Sequence, residues 1–210
     1  MKDLCKRSKT IFFQKTYKKQ YLLDNKETIQ KRISIINALD YKKYNSLVKT
    51  EITEDKESFY YKQKYIYKIK RNSFKKDDFF DLVDTLEYFS KIGFIHGDLN
   101  RRNIIFTKDG FKIIDLEPSL RQLKNLKPQY MLTIPYISKL DLATNEITIN
   151  TDKIAFFYFV LRVQGYLSSL SVVKLSKTLQ HNIFFKMSEK QFVRLSYKEI
   201  LEKAWFFYCF

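Results

Sequence analysis

The hydrophobic pattern along the chain switches between a two-residue and a roughly 3.6-residue period, and the switches mark the elements. Residues 10–17 (Thr-Ile-Phe-Phe-Gln-Lys-Thr-Tyr) are rich in β-branched and aromatic side chains and predict a strand. Asp24 or Asn25 then offers an N-cap for a helix to about residue 39, with Ile29, Ile33 and Ile36 recurring on one face. Residues 46–53 and 58–67 predict two paired strands around the acidic turn Glu54-Asp55-Lys56. Residues 77–91 predict an amphipathic helix whose apolar side is Phe79, Leu82, Val83, Leu86 and Phe89.

A short hairpin follows: Ile104-Ile105-Phe106, the turn Lys108-Asp109-Gly110, and Phe111 to Ile114 ending at Asp115. Beyond Pro118 the pattern is irregular until residue 151, where Thr151-Asp152 opens a helix so uniformly apolar that burial is expected. Two more helices are predicted near 167–180 and 189–207. The aromatic end Trp205-Phe-Phe-Tyr-Cys-Phe210 reads either as core packing or as a membrane-interface anchor.

Composition narrows the class. The 210-residue chain is long enough for a full core, and its 45% hydrophobic content excludes wholesale disorder. Four glycines and three prolines leave no flexible linker or low-complexity tract, and no internal repeat is visible. Cys5 and Cys209 make neither a disulfide framework nor a metal site, which favours a reducing compartment. The first residues lack the apolar core of a signal peptide, and the longest apolar run, 154–161, is far short of a membrane span. A cytoplasmic location follows as the expectation, with peripheral contact at the inner face of an anionic membrane as an extension of it.

The net charge of +16 is uneven: residues 1–76 carry 21 Lys and Arg against 8 Asp and Glu, and residues 77–210 carry 18 against 15. So basic a first third attracts a nucleotide or an anionic surface, or is simply a solvated lysine-rich face. No nucleic-acid-binding motif accompanies it, and the aromatics follow core patterning better than a stacking platform, which argues against a nucleic-acid partner.

The candidate chemistry lies in residues 94–118. His96-Gly97-Asp98 is followed five residues later by Asn103, and Asp115 comes twelve residues after that. Phosphoryl transfer asks a protein mainly to position a hydroxyl, a nucleotide and a metal around developing negative charge. A carboxylate at Asp98 could orient or deprotonate the acceptor, and Asn103 and Asp115 offer hard oxygen ligands suited to Mg2+. A hairpin of that length brings Asn103 and Asp115 to one end. The plainer alternative is that these are ordinary turn and strand-end polar groups.

With these elements in place, the chain resembles the protein kinase-like superfamily over nearly its whole length. The His96-Gly97-Asp98 loop is most similar to the small atypical members, the RIO type and the bacterial lipopolysaccharide core sugar kinases, which have glycine where regulated protein kinases have arginine. The resemblance implies an α+β, two-lobed fold: a reduced small lobe over residues 1–70, with a small antiparallel sheet and one helix, and a mainly helical lobe over 71–210. It implies ATP and Mg2+ as cofactors, Asp98 as catalytic base, Asn103 and Asp115 as metal ligands, and Lys15 as the lysine that holds the nucleotide phosphates. His96 would brace the loop, as would Asp152 at the start of the buried helix, where it could also serve as an N-cap. Thr133-Ile-Pro135-Tyr136-Ile-Ser138 is similar to the segment that closes a kinase activation loop.

Three departures shape the expectation. No glycine precedes Gly93, so a nucleotide cover would be built from other backbone or be absent. The helix glutamate that the resemblance implies as the partner of Lys15 is not obvious: Glu27 lies early in its helix, and the better-aligned positions hold Lys31 and Arg32. Asp115-Leu-Glu-Pro lacks the glycine of the familiar Asp-Phe-Gly, so the site is expected to stay preset. The acceptor has two candidate classes, an acidic core sugar held by Arg121, Lys124 and Lys127, or a protein hydroxyl. A nucleotide-binding scaffold without transfer is the third reading.

Overall fold

The computed structural model describes residues 14–20, 26–54, 58–64, 66–116, 120–121, 129–130, 147–165 and 194–206. Among them the fold is α+β, with small antiparallel sheets and four α-helices. Strand β1 (Gln14–Gln20) precedes helix α1 (Lys26–Asn37), and strands β2 (Thr50–Glu54) and β3 (Ser58–Lys64) follow. The three strands form one antiparallel sheet in the order β1-β3-β2, so the last strand in sequence is central. The predicted strand-helix-strand-strand order holds, with Ile33 and Ile36 buried on α1.

Two expected strands are shorter than their patterns: β3 ends at Lys64, short of residue 67, and β2 begins only at Thr50. Residues 46–49 do not extend β2 but run beside the second hairpin, where Leu47 makes a parallel bridge to Ile113 and Ser46 O accepts from Ile113 N at 2.7 Å. Leu47 and Val48 are both buried there. An apolar pair is served equally by either neighbour, and burial against the hairpin won. Farther back, Tyr44 stacks on Tyr88 at 4.2 Å and the Asn45 amide donates to Asp81 at 3.3 Å, so the segment after α1 is fastened along the next helix.

A 3-10 turn (Lys76–Phe79) leads into α2 (Phe80–Lys91), and Phe79, Leu82, Val83, Leu86 and Phe89 are all buried as the periodicity predicts. The hairpin is β4 (Ile104–Thr107) and β5 (Gly110–Ile113), turning at Lys108-Asp109. Two short strands, β6 (Leu120–Arg121) and β7 (Gln129–Tyr130), pair beyond it.

Helix α3 (Ile149–Val163) starts earlier than its predicted residue 151. Thr148 is the cap, accepting from Asn150 N, and it forms a capping box with Thr151. Asp152 is therefore inside the first turn and is not the N-cap. Residues 155–161 of α3 are buried without exception, as their uniform hydrophobicity requires.

Helix α4 (Tyr197–Trp205) falls within the span predicted as 189–207, of which residues 194–206 are described. Its start is set by Ser196, whose hydroxyl accepts from Glu199 N while Glu199 reaches back to Ser196 N at 2.7 Å. The helix predicted near 167–180 and the final aromatic residues 207–210 lie outside the described residues.

The core is aromatic. Phe79 meets Phe111 at 4.8 Å, Trp205 at 5.9 Å and Phe159 at 6.3 Å, joining the hairpin, α3 and α4 on one ring. Trp205 packs half-buried against this core, while its neighbour Phe206 is 50% exposed. Lys153 is buried beside Tyr197, with its ammonium donating to Leu195 O. Burial lowers its pKa, and the charges of Glu87 and Glu199 act in the opposite sense. No helix among the described residues is long and apolar enough to cross a membrane.

Candidate active site

Helix α2 ends at Lys91, and the chain returns through Phe94, whose N–H donates to Phe89 O at 2.9 Å, into the His96 loop. The loop is braced from below by α3. Asp152, 1% exposed, accepts from His96 N at 2.6 Å through one oxygen and from Gly97 N at 2.8 Å through the other. A buried carboxylate is tolerable only when its oxygens are met, and here two consecutive backbone donors meet them. Asp152 thus ties the backbone of residues 96 and 97 to the first turn of α3. Asp152→Ala would strand both N–H groups in the interior, and urea unfolding is expected to show a loss of about 2–4 kcal/mol.

Gly97 is glycine for a local reason. Its φ is +81°, and a Cβ there would lie 2.7 Å from Cδ1 of Ile147, just before α3. An arginine at this position would meet both obstacles. Gly97→Ala is expected to lower stability by about 1–2 kcal/mol, read as a drop in Tm.

His96 is buried, and its ring is held at both nitrogens. Asp98 N donates to Nδ1 at 3.3 Å, which places the ring proton on Nε2, where it donates to Ile114 O at 3.0 Å. His96 thereby links the loop to the strand end next to Asp115, a bracing position.

Asp98 is half-buried. Its Oδ1 accepts from the Asn100 amide at 2.8 Å and its Oδ2 from the Asn103 amide at 2.8 Å. The same two amides also reach Asp98 O, at 3.1 and 2.9 Å. The carboxylate is thus aimed by two side chains, one on each oxygen. Asn100 was not anticipated from the spacing. Its amide is spent on Asp98 and its Oδ1 on Arg102 N at 2.8 Å, a turn that many polar residues could have made.

The hairpin register settles the relation of Asn103 to Asp115. Ile104 pairs with Ile113, and Ile114 N donates to Asn103 O at 2.9 Å, so the two candidate ligands lie at the same end of the hairpin, as expected. Asp115 is exposed and has φ +64°, the one positive φ among non-glycine residues described. A left-handed aspartate directly after a buried strand is the kind of backbone outlier that clusters at functional sites.

Because both Asn103 amide hydrogens point toward Asp98, its Oδ1 faces away from that pair and meets no donor among the described residues. Mg2+ takes oxygen ligands and is held by one or two carboxylates together with water and substrate phosphates. Asn103 Oδ1 and the Asp115 carboxylate fit that donor set. Among the described residues no group of three or more His, Cys, Asp or Glu is placed to hold a metal, so a closed cage is not formed by them.

The other expected positions are less gathered. Lys15 lies on β1, an edge strand of the three-stranded sheet, in register with Gln63 of β3. Gln63 in turn is in register with Thr50 and donates to its hydroxyl at 3.2 Å. Arg121 lies on β6, paired with Gln129. Lys124, Lys127 and the segment 133–138 fall outside the described residues.

Arg32, at a helix position where the resemblance implies a glutamate, touches the backbone of the candidate site instead. Its guanidinium donates through Nε to Leu116 O at 2.8 Å, through Nη1 to Ile95 O and through Nη2 to His96 O at 3.1 Å. Backbone carbonyls leave no trace in residue identity, so no sequence signal could have assigned these bonds.

No protein-family model matches the chain, and no curated protein matches it by sequence.

Proposed function

We propose that the chain is an ATP- and Mg2+-dependent phosphotransferase of the protein kinase-like type, moving the γ-phosphate to a hydroxyl. The observation that carries this reading is the arrangement around Asp98. A carboxylate is aimed by the amides of Asn100 and Asn103, and the opposite oxygen of Asn103 lies at the same hairpin end as a left-handed, exposed Asp115. The strand order β1-β3-β2 and the helix between β1 and β2 support a kinase-like small lobe. The buried α2 and α3 around the loop support the helical one.

In this reading the acceptor oxygen bonds to the γ-phosphorus as the bond to the β–γ bridging oxygen breaks and ADP leaves, Asp98 takes up the hydroxyl proton, and Asn100 and Asn103 keep its carboxylate at a fixed angle. Asn103 Oδ1 and Asp115 would hold Mg2+. Such an ion would supply charge neutralisation for the transferring phosphates. Lys15, on the edge strand of the small sheet, is assigned to the nucleotide phosphates.

The acceptor is an acidic sugar of the lipopolysaccharide core kind, ahead of a protein hydroxyl. Arg101 and Arg102, between Asp98 and Asn103, are exposed, and neither is in an ion pair among the described residues. Two free cations beside the reacting carboxylate attract an anionic acceptor, as would Arg121, Lys124 and Lys127.

The deciding assay offers γ-labelled ATP and Mg2+ to the chain with a core lipopolysaccharide fraction and a generic protein substrate in parallel. Label in carbohydrate supports the reading, and label in protein moves the acceptor to the second class. Nucleotide binding without transfer would replace it with a scaffold role.

A further inference from the structure

Arg32 projects from the middle of α1 and ends among three backbone carbonyls that belong to two separate stretches of chain. Ile95 O and His96 O enter the loop that carries Asp98, while Leu116 O immediately follows Asp115. The guanidinium also lies 4.4 Å from the centre of the Phe94 ring, which fixes the plane of the fork. All three nitrogens therefore donate into the two arms of the site, from a helix belonging to neither.

That helix is itself tied down. Asn37, at the end of α1, donates to Ile52 O at 3.3 Å and accepts from Ile52 N at 3.4 Å, fastening α1 to the edge strand β2. Sheet, helix, loop and strand end are thus joined in series through two side chains. We propose that Arg32 is a positioning residue that holds the Asp98 arm and the Asp115 arm to helix α1 as one unit, so that neither arm moves without the other.

Arginine suits this task in a way that lysine does not. Its charge persists across the accessible pH range, and its planar fork presents five donors in fixed directions. An ammonium on a flexible stem can serve one carbonyl well but cannot span two chain segments with set geometry. The kinetic consequence rests on the phosphotransfer reading. The mechanical consequence does not.

The experiment is amide hydrogen exchange on the full chain, comparing wild type with Arg32→Met and Arg32→Lys, alongside steady-state kinetics. The protected amides to follow are His96 and Gly97 in one arm and Ile113 and Ile114 in the other, all hydrogen-bonded in the native fold. Arg32→Met is expected to speed exchange by about tenfold or more in both arms together, leaving the protection of α2 and α4 unchanged. Arg32→Lys should fall between.

In the same variants kcat is expected to drop by about tenfold at unchanged KM for ATP, since mispositioning costs the transition state and not nucleotide binding. Unchanged exchange in either arm, loosening that spreads through α2 and α4, or looser arms with wild-type kcat would each overturn the proposal. A wild-type chain that transfers no phosphate would fell the phosphotransfer reading alone, because the exchange data still decide whether Arg32 couples the two arms.

Discussion

Asp115→Ala is expected to abolish Mg2+-dependent phosphate transfer, to below detection in an assay that registers wild-type turnover. The carboxylate would supply the one anionic oxygen of the proposed two-ligand metal site, and the Asn103 amide oxygen alone is a weak hold on Mg2+. The backbone complicates a simple alanine test, because φ at this position is +64° and alanine pays more than aspartate for a left-handed conformation. Asp115→Asn resolves this. Asparagine tolerates the conformation, so a variant that keeps its Tm and loses transfer isolates the charge from the fold. Equal response of wild type and Asp115→Asn to titrated Mg2+ would remove Asp115 from the metal site.

Asp98→Ala is expected to lower transfer by about 10^2 to 10^4, the usual range for a positioned acid or base. The fold should tolerate it, for a reason visible in the loop. The Asn100 and Asn103 amides that lose the carboxylate each keep Asp98 O as an acceptor, at 3.1 and 2.9 Å, and the main-chain carbonyl survives the substitution. A near-normal Tm together with a large fall in kcat is therefore the expected pair. An Asp98→Ala chain as active as wild type would sink the assignment.

Much of this site was legible because its parts are local. The His96-to-Asp115 stretch is about twenty residues long, and a strand, a two-residue turn and a strand of matched length fix where Asn103 and Asp115 fall. The buried face of α2 was equally readable from its period. What escaped depends on contacts distant in sequence. Residues 46–49 carry strand-like hydrophobicity, but nothing in them distinguishes β3 from β5 as a neighbour. Arg32 bonds to carbonyls 63, 64 and 84 positions away, and any residue type would have presented those carbonyls. Helix α3 began early because Thr148 and Thr151 are both plausible caps, and the capping box chose the first.

The β4–β5 hairpin places the candidate metal ligands at one end and its turn at the other. Lys108 and Asp109 are exposed, and the Thr107 hydroxyl closes the turn by donating to Gly110 O at 2.9 Å and accepting from Asp109 N at 3.1 Å. At a rise of about 3.3 Å per residue, four strand residues separate that tip from Asn103 by roughly 13 Å. Exposed tips of this kind accept insertions with little penalty. The turn is therefore the natural place to graft a fluorophore-bearing tag, giving a reporter joined to the candidate site through two paired strands.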